Sequence, residues 1–162
     1  MADPSSPGPE ATVSLREVTA ENLRSILRLK VAPAQEGFVA SNAVSIAQAH
    51  FEPKAWFRAV YADDVPVGFA MLSIDADKPE YDLWRFMIGE PHQLRGFGRR
   101  ALELLVEHVR GLPRAEELRL SHGRGEGNPA PFYEALGFEH TGEEEEGELV
   151  MSLRLDASLG SR

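Results

Sequence analysis

Gln93-Leu94-Arg95-Gly96-Phe97-Gly98-Arg99-Arg100 joins a strand-like run to a strongly helical one through two glycines, and its reading decides the fold. Upstream, Leu83-Trp84-Arg85-Phe86-Met87-Ile88 is apolar and aromatic enough for a buried strand. Downstream, Leu102, Leu105, Val106 and Val109 recur at helical spacing. The glycines therefore open a helix. The first N–H groups of a helix lack intrahelical partners and sit at the positive end of its dipole, so a phosphate can bind there with little side-chain help. Gly96 and Gly98 allow close approach of a ligand to the backbone, and Arg95, Arg99 and Arg100 add formal charge. A structural turn that needs glycine only for steric reasons is the plainer alternative. The full dinucleotide-binding glycine pattern is absent, because Gly96 and Gly98 are followed by Ala101 in place of a third glycine.

At 162 residues the chain fits one domain with a real core. The sequence divides into a floppy tail over 1–11, a domain over 12–155 and a C-terminal tail over 156–162. No apolar run approaches the roughly 20 residues of a membrane helix, and the first ten residues lack the basic start and apolar middle of a secretory signal. These features predict no membrane role. A net charge of -9 repels nucleic acid and draws in a cationic substrate. With no cysteine there is no disulfide or thiol nucleophile, which fits a cytoplasmic protein, and any thiol chemistry comes from a cofactor. Histidines 50, 92, 108, 122 and 140 lack paired metal-ligand spacing, so no metal site is expected. His122 reads as a hydrogen-bonded strand-end residue or as a proton relay near a cleft.

Taken in order, residues 12–18 alternate as a strand. Leu23, Ile26, Leu27, Lys30 and Val31 share a helical face that Pro33 ends, and a second helix runs near 41–50. Trp56–Ala62 and Val67–Ile74 form a hairpin about Asp63-Asp64-Val65-Pro66, and residues 75–80 turn the chain again. After the central strand and its helix come a strand over Glu117–His122, a short helix over Ala130–Leu136 ended by Gly137, and strands from Phe138 and over Leu149–Leu155. Glu143-Glu144-Glu145-Glu146-Gly147 reads as a hairpin tip whose like charges spread into water, with a cation-binding patch as the alternative. The order β-α-α-β-β-β-α-β-α-β-β makes a mixed α/β sheet flanked by helices.

Strand, Gln-x-x-Gly-x-Gly and amphipathic helix together resemble the pyrophosphate-binding motif of the GNAT superfamily of N-acetyltransferases. A second block, Phe132-Tyr133-Glu134-Ala135-Leu136-Gly137-Phe138, is also similar to that family. The resemblance spans about residues 12–155 and implies the GNAT fold, a mixed and mostly antiparallel sheet, with acetyl-CoA as the acetyl donor. It implies that Gln93, Leu94, Arg95, Gly96, Phe97, Gly98, Arg99 and Arg100 surround the pyrophosphate. Backbone groups of Phe86, Met87 and Ile88 would line the pantetheine arm and polarise the thioester carbonyl, and Tyr133 would protonate the departing thiolate. The family opens a gap between its fourth and fifth strands, here near Ile88 and Ser121. Its usual asparagine seven residues before the tyrosine is Glu126 in this chain, and Asn128 is the nearest substitute. Family members often pair through terminal strands, which leaves a homodimer open.

Gln35–Asn42 with Ser45, Val67-Gly68-Phe69 and Leu83–Ile88 resemble the bacterial spermidine and spermine acetyltransferase branch. An alkyl amine with a pKa near 10.4 is only about 0.04% neutral at neutral pH, roughly 4.6 kcal/mol against the attacking form. A carboxylate must accept its proton, directly or through water. Glu36 leads, with Asp82 and Glu80 as further candidates. The expected reaction is transfer to a primary amine, with a polyamine favoured by the acidic balance. Another amine, such as an aminoglycoside, amino acid or protein N-terminus, and a non-catalytic acyl-CoA-binding module are the alternatives.

Overall fold

The computed structural model describes residues 6–156. The first five residues of the expected N-terminal tail and all but Asp156 of the C-terminal one lie outside them. Seven strands form one sheet in the order β1-β2-β3-β4-β5-β7-β6. They are β1 (Val13–Arg16), β2 (Ala55–Ala62), β3 (Val65–Asp75), β4 (Glu80–Ile88), β5 (Glu117–His122), β6 (Glu139–Glu145) and β7 (Glu148–Arg154). The helices are α1 (Leu23–Arg28), α2 (Asn42–Phe51), α3 (Phe97–Arg110) and α4 (Ala130–Ala135). β4 and β5 run parallel while every other neighbouring pair is antiparallel. The sheet is the expected mixed α/β arrangement.

α3 fixes one face of the core. Its Phe97, Ala101, Leu102, Leu105, Val106 and Val109 are buried and recur at three- and four-residue intervals, so one stripe of the helix lies against the sheet. Each large side chain so removed from water contributes about 1.5–3 kcal/mol. The opposite face of the sheet carries a second cluster of Ile26, Tyr61, Phe69, Met71 and Met87.

β4 serves both faces because its alternation is interrupted. Leu72 pairs with Leu83 and Met71 with Arg85, leaving Trp84 as an extra residue. Such a bulge reverses which side chains point to which face. Tyr81 and Leu83 join the α3 cluster before it and Phe86 and Ile88 after it, whereas Trp84 and Met87 pack on the other side. Gly68 on β3 lets the end of β4 come close. A Cβ there would lie 2.4 Å from the Met87 carbonyl oxygen and 2.8 Å from Ile88 Cδ1.

Four features differ from the sequence reading. β4 begins at Glu80, not Leu83, because Glu80–Leu83 pairs with Leu72–Asp75 in a hairpin. α1 ends at Arg28, and Leu29 is extended, which turns it into the second cluster. The glutamate run is mostly strand: Glu143, Glu144 and Glu145 lie in β6, and only Glu146 and Gly147 form the tip. These charges do not simply spread into water, since Arg119 bridges Glu143 (2.8 Å) and Glu145 (3.2 Å) and Arg124 pairs with Glu144.

The fourth concerns residues 6–11, expected as a floppy tail. Ala11 is buried against the α3 cluster. Arg100 donates to the carbonyls of Ala11 (2.5 Å) and Pro9 (2.7 Å), Arg95 donates to that of Pro7 (2.7 Å), and Ser6 Oγ lies 2.6 Å from Nδ1 of His92. Exposed carbonyls with a guanidinium in reach form charge-assisted bonds, a pairing that a sequence scan for turn residues overlooks.

Candidate active site

Gly96 immediately precedes α3, and its φ of 82° is the left-handed conformation glycine favours. Among the described residues no side chain caps this end of the helix. The first helical bond runs from Arg100 N to Gly96 O, so the N–H groups of Phe97, Gly98 and Arg99 precede the intrahelical ladder. A Cβ at Gly96 would meet nothing within 4 Å. Leu94 beside it has a φ of 64°, an uncommon backbone for leucine that holds the turn open. A cradle of free N–H groups at the end of a 14-residue helix fits a diphosphate.

The arginines contribute differently from the expectation. Arg95 and Arg100 clasp residues 7–11, and Arg99 pairs with Glu103 at 3.1 Å on the helix surface. The groups of this turn left without a partner in the helix ladder are the backbone N–H groups of Phe97, Gly98 and Arg99. The Gln93 amide braces the turn, donating to Ile88 O (2.8 Å) and Gln35 Oε1 (2.9 Å). Phe97 is buried beneath Arg100.

The two sequence blocks meet at Phe132. Its ring stacks 6.2 Å from that of Phe86, packs edge-on to Tyr133 at 5.2 Å, and lies 3.4 Å from where a Cβ on Gly98 would be. The diphosphate turn, the end of β4 and Tyr133 therefore surround one aromatic ring, which sequence reasoning quoted without assigning a role. Tyr133 is itself 8% exposed, with Phe138 on its other side at 5.5 Å. Burial pushes its phenol above the ordinary tyrosine value. Among the described residues its hydroxyl has no hydrogen-bond partner. Asn128 is engaged locally: its Nδ2 donates to Gly125 O and its Oδ1 accepts from Ala130 N, closing the turn into α4.

β4 and β5 share a single register pair, Asp82 with Arg119, and diverge beyond it. A cavity of about 960 Å³ opens on this split. Trp84 and Arg85 line it from β4, Leu120 and Ser121 from β5, and Phe38 and Val39 from the loop before α2. Of the three sequence-predicted acids, Glu36 and Asp82 lie in its wall, whereas Glu80 is not among the residues lining it. Glu52, Glu145, Glu146 and Glu148 join them, and of these only the run over 143–146 carried any sequence signal. The wall also contains Lys54, Arg85 and Arg119, but Lys54 is paired with Asp75 (3.2 Å) and Arg119 with the β6 glutamates. Burial raises the Asp82 carboxyl, with Arg119 opposing and Glu145, Glu80 and Glu117 adding to the rise. Arg85 donates to Trp84 O and Gln48 Oε1, while its buried Nε has no partner among the described residues and burial lowers its pKa. His122 and His140 face each other with Nε2 atoms 2.8 Å apart, and His122 Nδ1 lies 2.9 Å from the Gly123 carbonyl.

The Acetyltransferase (GNAT) family profile matches residues 17–138, which run from the end of β1 through the diphosphate turn to the close of the Tyr133 block. The chain belongs to the GNAT family. It is an N-acetyltransferase with acetyl-CoA as cosubstrate, and the turn and the β4–β5 split fit that ligand. The chain is similar to the spermine/spermidine N(1)-acetyltransferase of Bacillus subtilis, with 30% identity over 154 residues covering 86% of this chain and 97% of that protein. Among solved structures it resembles an acetyltransferase from Thermus thermophilus (TM-score 0.68, 20% identity, 88% of this chain and 97% of that one). It also resembles the PaiA N-acetyltransferase of Thermoplasma acidophilum in complex with coenzyme A (TM-score 0.65, 18% identity, 88% and 99%). At these identities the structural likenesses establish the fold. No helix of the described residues is long and apolar enough to cross a membrane.

Proposed function

We propose that this GNAT enzyme acetylates a primary amine of a polyamine such as spermidine or spermine, both substrates being held together in the β4–β5 split. The observation carrying this reading is the cavity wall. Six carboxylates face three cations, two of which already have carboxylate partners. Such a wall attracts a cation with several charges and disfavours an anionic acceptor. The similarity to the B. subtilis polyamine enzyme supports it.

Acetyl-CoA supplies an activated acyl carbon when bound. The chain's own groups then have separable tasks. The Phe97–Arg99 N–H groups fix the diphosphate end, and the backbone of Phe86, Met87 and Ile88 aligns the arm and offers a donor to oxygen charge developing at the carbonyl. Gln93 and Gly68 hold that backbone in place. Tyr133, neutral and without a partner for its hydroxyl among the described residues, is the donor to sulfur. Glu36 and the other carboxylates near the mouth of the wall hold the charged body of the acceptor.

Free-thiol release across a panel of amines tests this reading. The expected result is a higher kcat/KM for spermidine and spermine than for aminoglycosides, peptide N-termini or amino acids. The amino acid is a pointed control because the Arg85 guanidinium in the wall is the group that would receive a carboxylate. A preference for it would overturn the polyamine reading.

A further inference from the structure

Glu148, the first residue of β7, lines the acceptor cavity and carries a role that sequence reasoning did not give it. Its Oε1 accepts a hydrogen bond from Ser121 Oγ at 2.9 Å, so β5 fixes the carboxylate from the adjacent strand. Ser121 stands two residues beyond Arg119, past the last β4–β5 pair, where the strands have parted. The carboxylate is thus anchored at the mouth of the split and makes no ion pair among the described residues. Its neighbours differ. Glu145 is bound to Arg119, Glu143 likewise and Glu144 to Arg124, while Asp82 lies at the paired level where burial disfavours its charge.

The charged groups around Glu148 come from every side. β4 provides Arg85 and Asp82, β5 Arg119, the β6–β7 hairpin Glu145 and Glu146, and the opposite wall Glu36, Glu52 and Lys54. Arg85 is the cation that senses Glu148 electrostatically. A carboxylate fixed through one oxygen by a serine hydroxyl, with no ion pair among the described residues and an open cavity beside it, is placed to take a proton and return it to solvent.

We propose that Glu148, held by Ser121, is the base that deprotonates the acceptor's ammonium. The inference rests on the amine-acceptor reading of this cavity. The acceptor enters as R–NH3+. Glu148 takes one proton and releases it to water through the cavity mouth. The neutral nitrogen forms the N–C bond to the acyl carbon, and the C–S bond breaks with its electron pair on sulfur. Tyr133 gives sulfur a proton and regains one from the second nitrogen-bound proton lost as the amide forms, and the third stays on the amide. One proton is released overall, with no oxidant or reductant.

The test uses full-length Glu148→Gln with two acceptors, spermidine and trifluoroethylamine, the second being largely neutral at neutral pH. With spermidine, kcat should fall by about 100-fold, and the acid limb of its pH profile should move upward toward the amine's own titration. With trifluoroethylamine the loss should be under about five-fold, since no proton need be removed first. Ser121→Ala should show the same pattern with a smaller loss of about ten-fold. In coenzyme-free wild-type protein, spermidine should shift the titration of the Glu148 carboxyl carbon, followed by 13C NMR, to lower pH, as an adjacent ammonium requires. Equal losses on both acceptors, an unmoved pH limb or an unmoved carboxyl titration would each overturn the assignment. The acceptor reading is scored separately: where wild-type protein acetylates another alkylamine that is protonated at neutral pH in preference to spermidine, the polyamine is removed, and that amine takes spermidine's place beside trifluoroethylamine so that the same comparison judges Glu148.

Discussion

Tyr133→Phe removes one oxygen and nothing else. The ring contacts with Phe132 and Phe138 stay, and no hydrogen bond among the described residues is broken because the hydroxyl makes none. Stability should therefore change by less than about 0.5 kcal/mol, below the net worth of a typical hydrogen bond. Catalysis should change far more. Loss of a positioned acid costs on the order of 10² in turnover, equivalent to about 2.7 kcal/mol on the barrier. Burial raises the phenol, so its acid form persists at and above the ordinary tyrosine value, and wild-type kcat should show no alkaline loss from Tyr133 near pH ~10. Thiol release is a clean assay here because the chain has no cysteine and all thiol detected belongs to the coenzyme. Calorimetry should give unchanged coenzyme affinity. Turnover within about three-fold of wild type would make Tyr133 a packing residue. An equal loss of turnover and thermal midpoint would point to the same conclusion.

Asp82→Asn tests the electrostatics of the cavity floor. A carboxyl with a raised folded-state pKa adds stability that is present below its unfolded value of 3.8 and lost as pH rises through the folded one. The variant should thus melt higher than wild type at neutral pH, with the gap closing toward pH ~3, and a lower midpoint at neutral pH would contradict this. Gly98→Val should weaken coenzyme binding by at least about ten-fold with little effect on folding, because a Cβ fits at 3.4 Å from Phe132 but the branch projects further; normal affinity by calorimetry would remove Gly98 from the cradle. Arg100→Ala deletes the bonds to Pro9 and Ala11 and should cost about 1–3 kcal/mol in urea unfolding, with faster amide exchange over residues 6–11. Unchanged exchange there would show that burial of Ala11 alone holds the segment.

The fold was legible because its signals are local. Two glycines before an apolar stripe announce α3, and alternation announces the hairpins. Bulges and charge partners are not local. Nothing in Leu83-Trp84-Arg85 marks Trp84 as the extra residue, since that depends on the register against β3. Arg95 and Arg100 read as phosphate ligands because they adjoin the glycines, but their partners are 88 and 89 residues away in sequence. Glu36 and Asp82 were identified from segment resemblance and do reach the cavity wall. Glu148 was not, because its significance comes from β7 lying beside β5 with Ser121 opposite Val150 in the register.

The lone Asp82–Arg119 pairing between β4 and β5 makes the middle of this sheet resemble an edge. Facing strands that separate leave inward backbone groups ready to bond a stranger, the hazard that outer edges blunt with charge or bulges. A ligand seated between β4 and β5 would cover that seam. Preparations kept saturated with coenzyme A should scatter less light on ageing than those stripped of it.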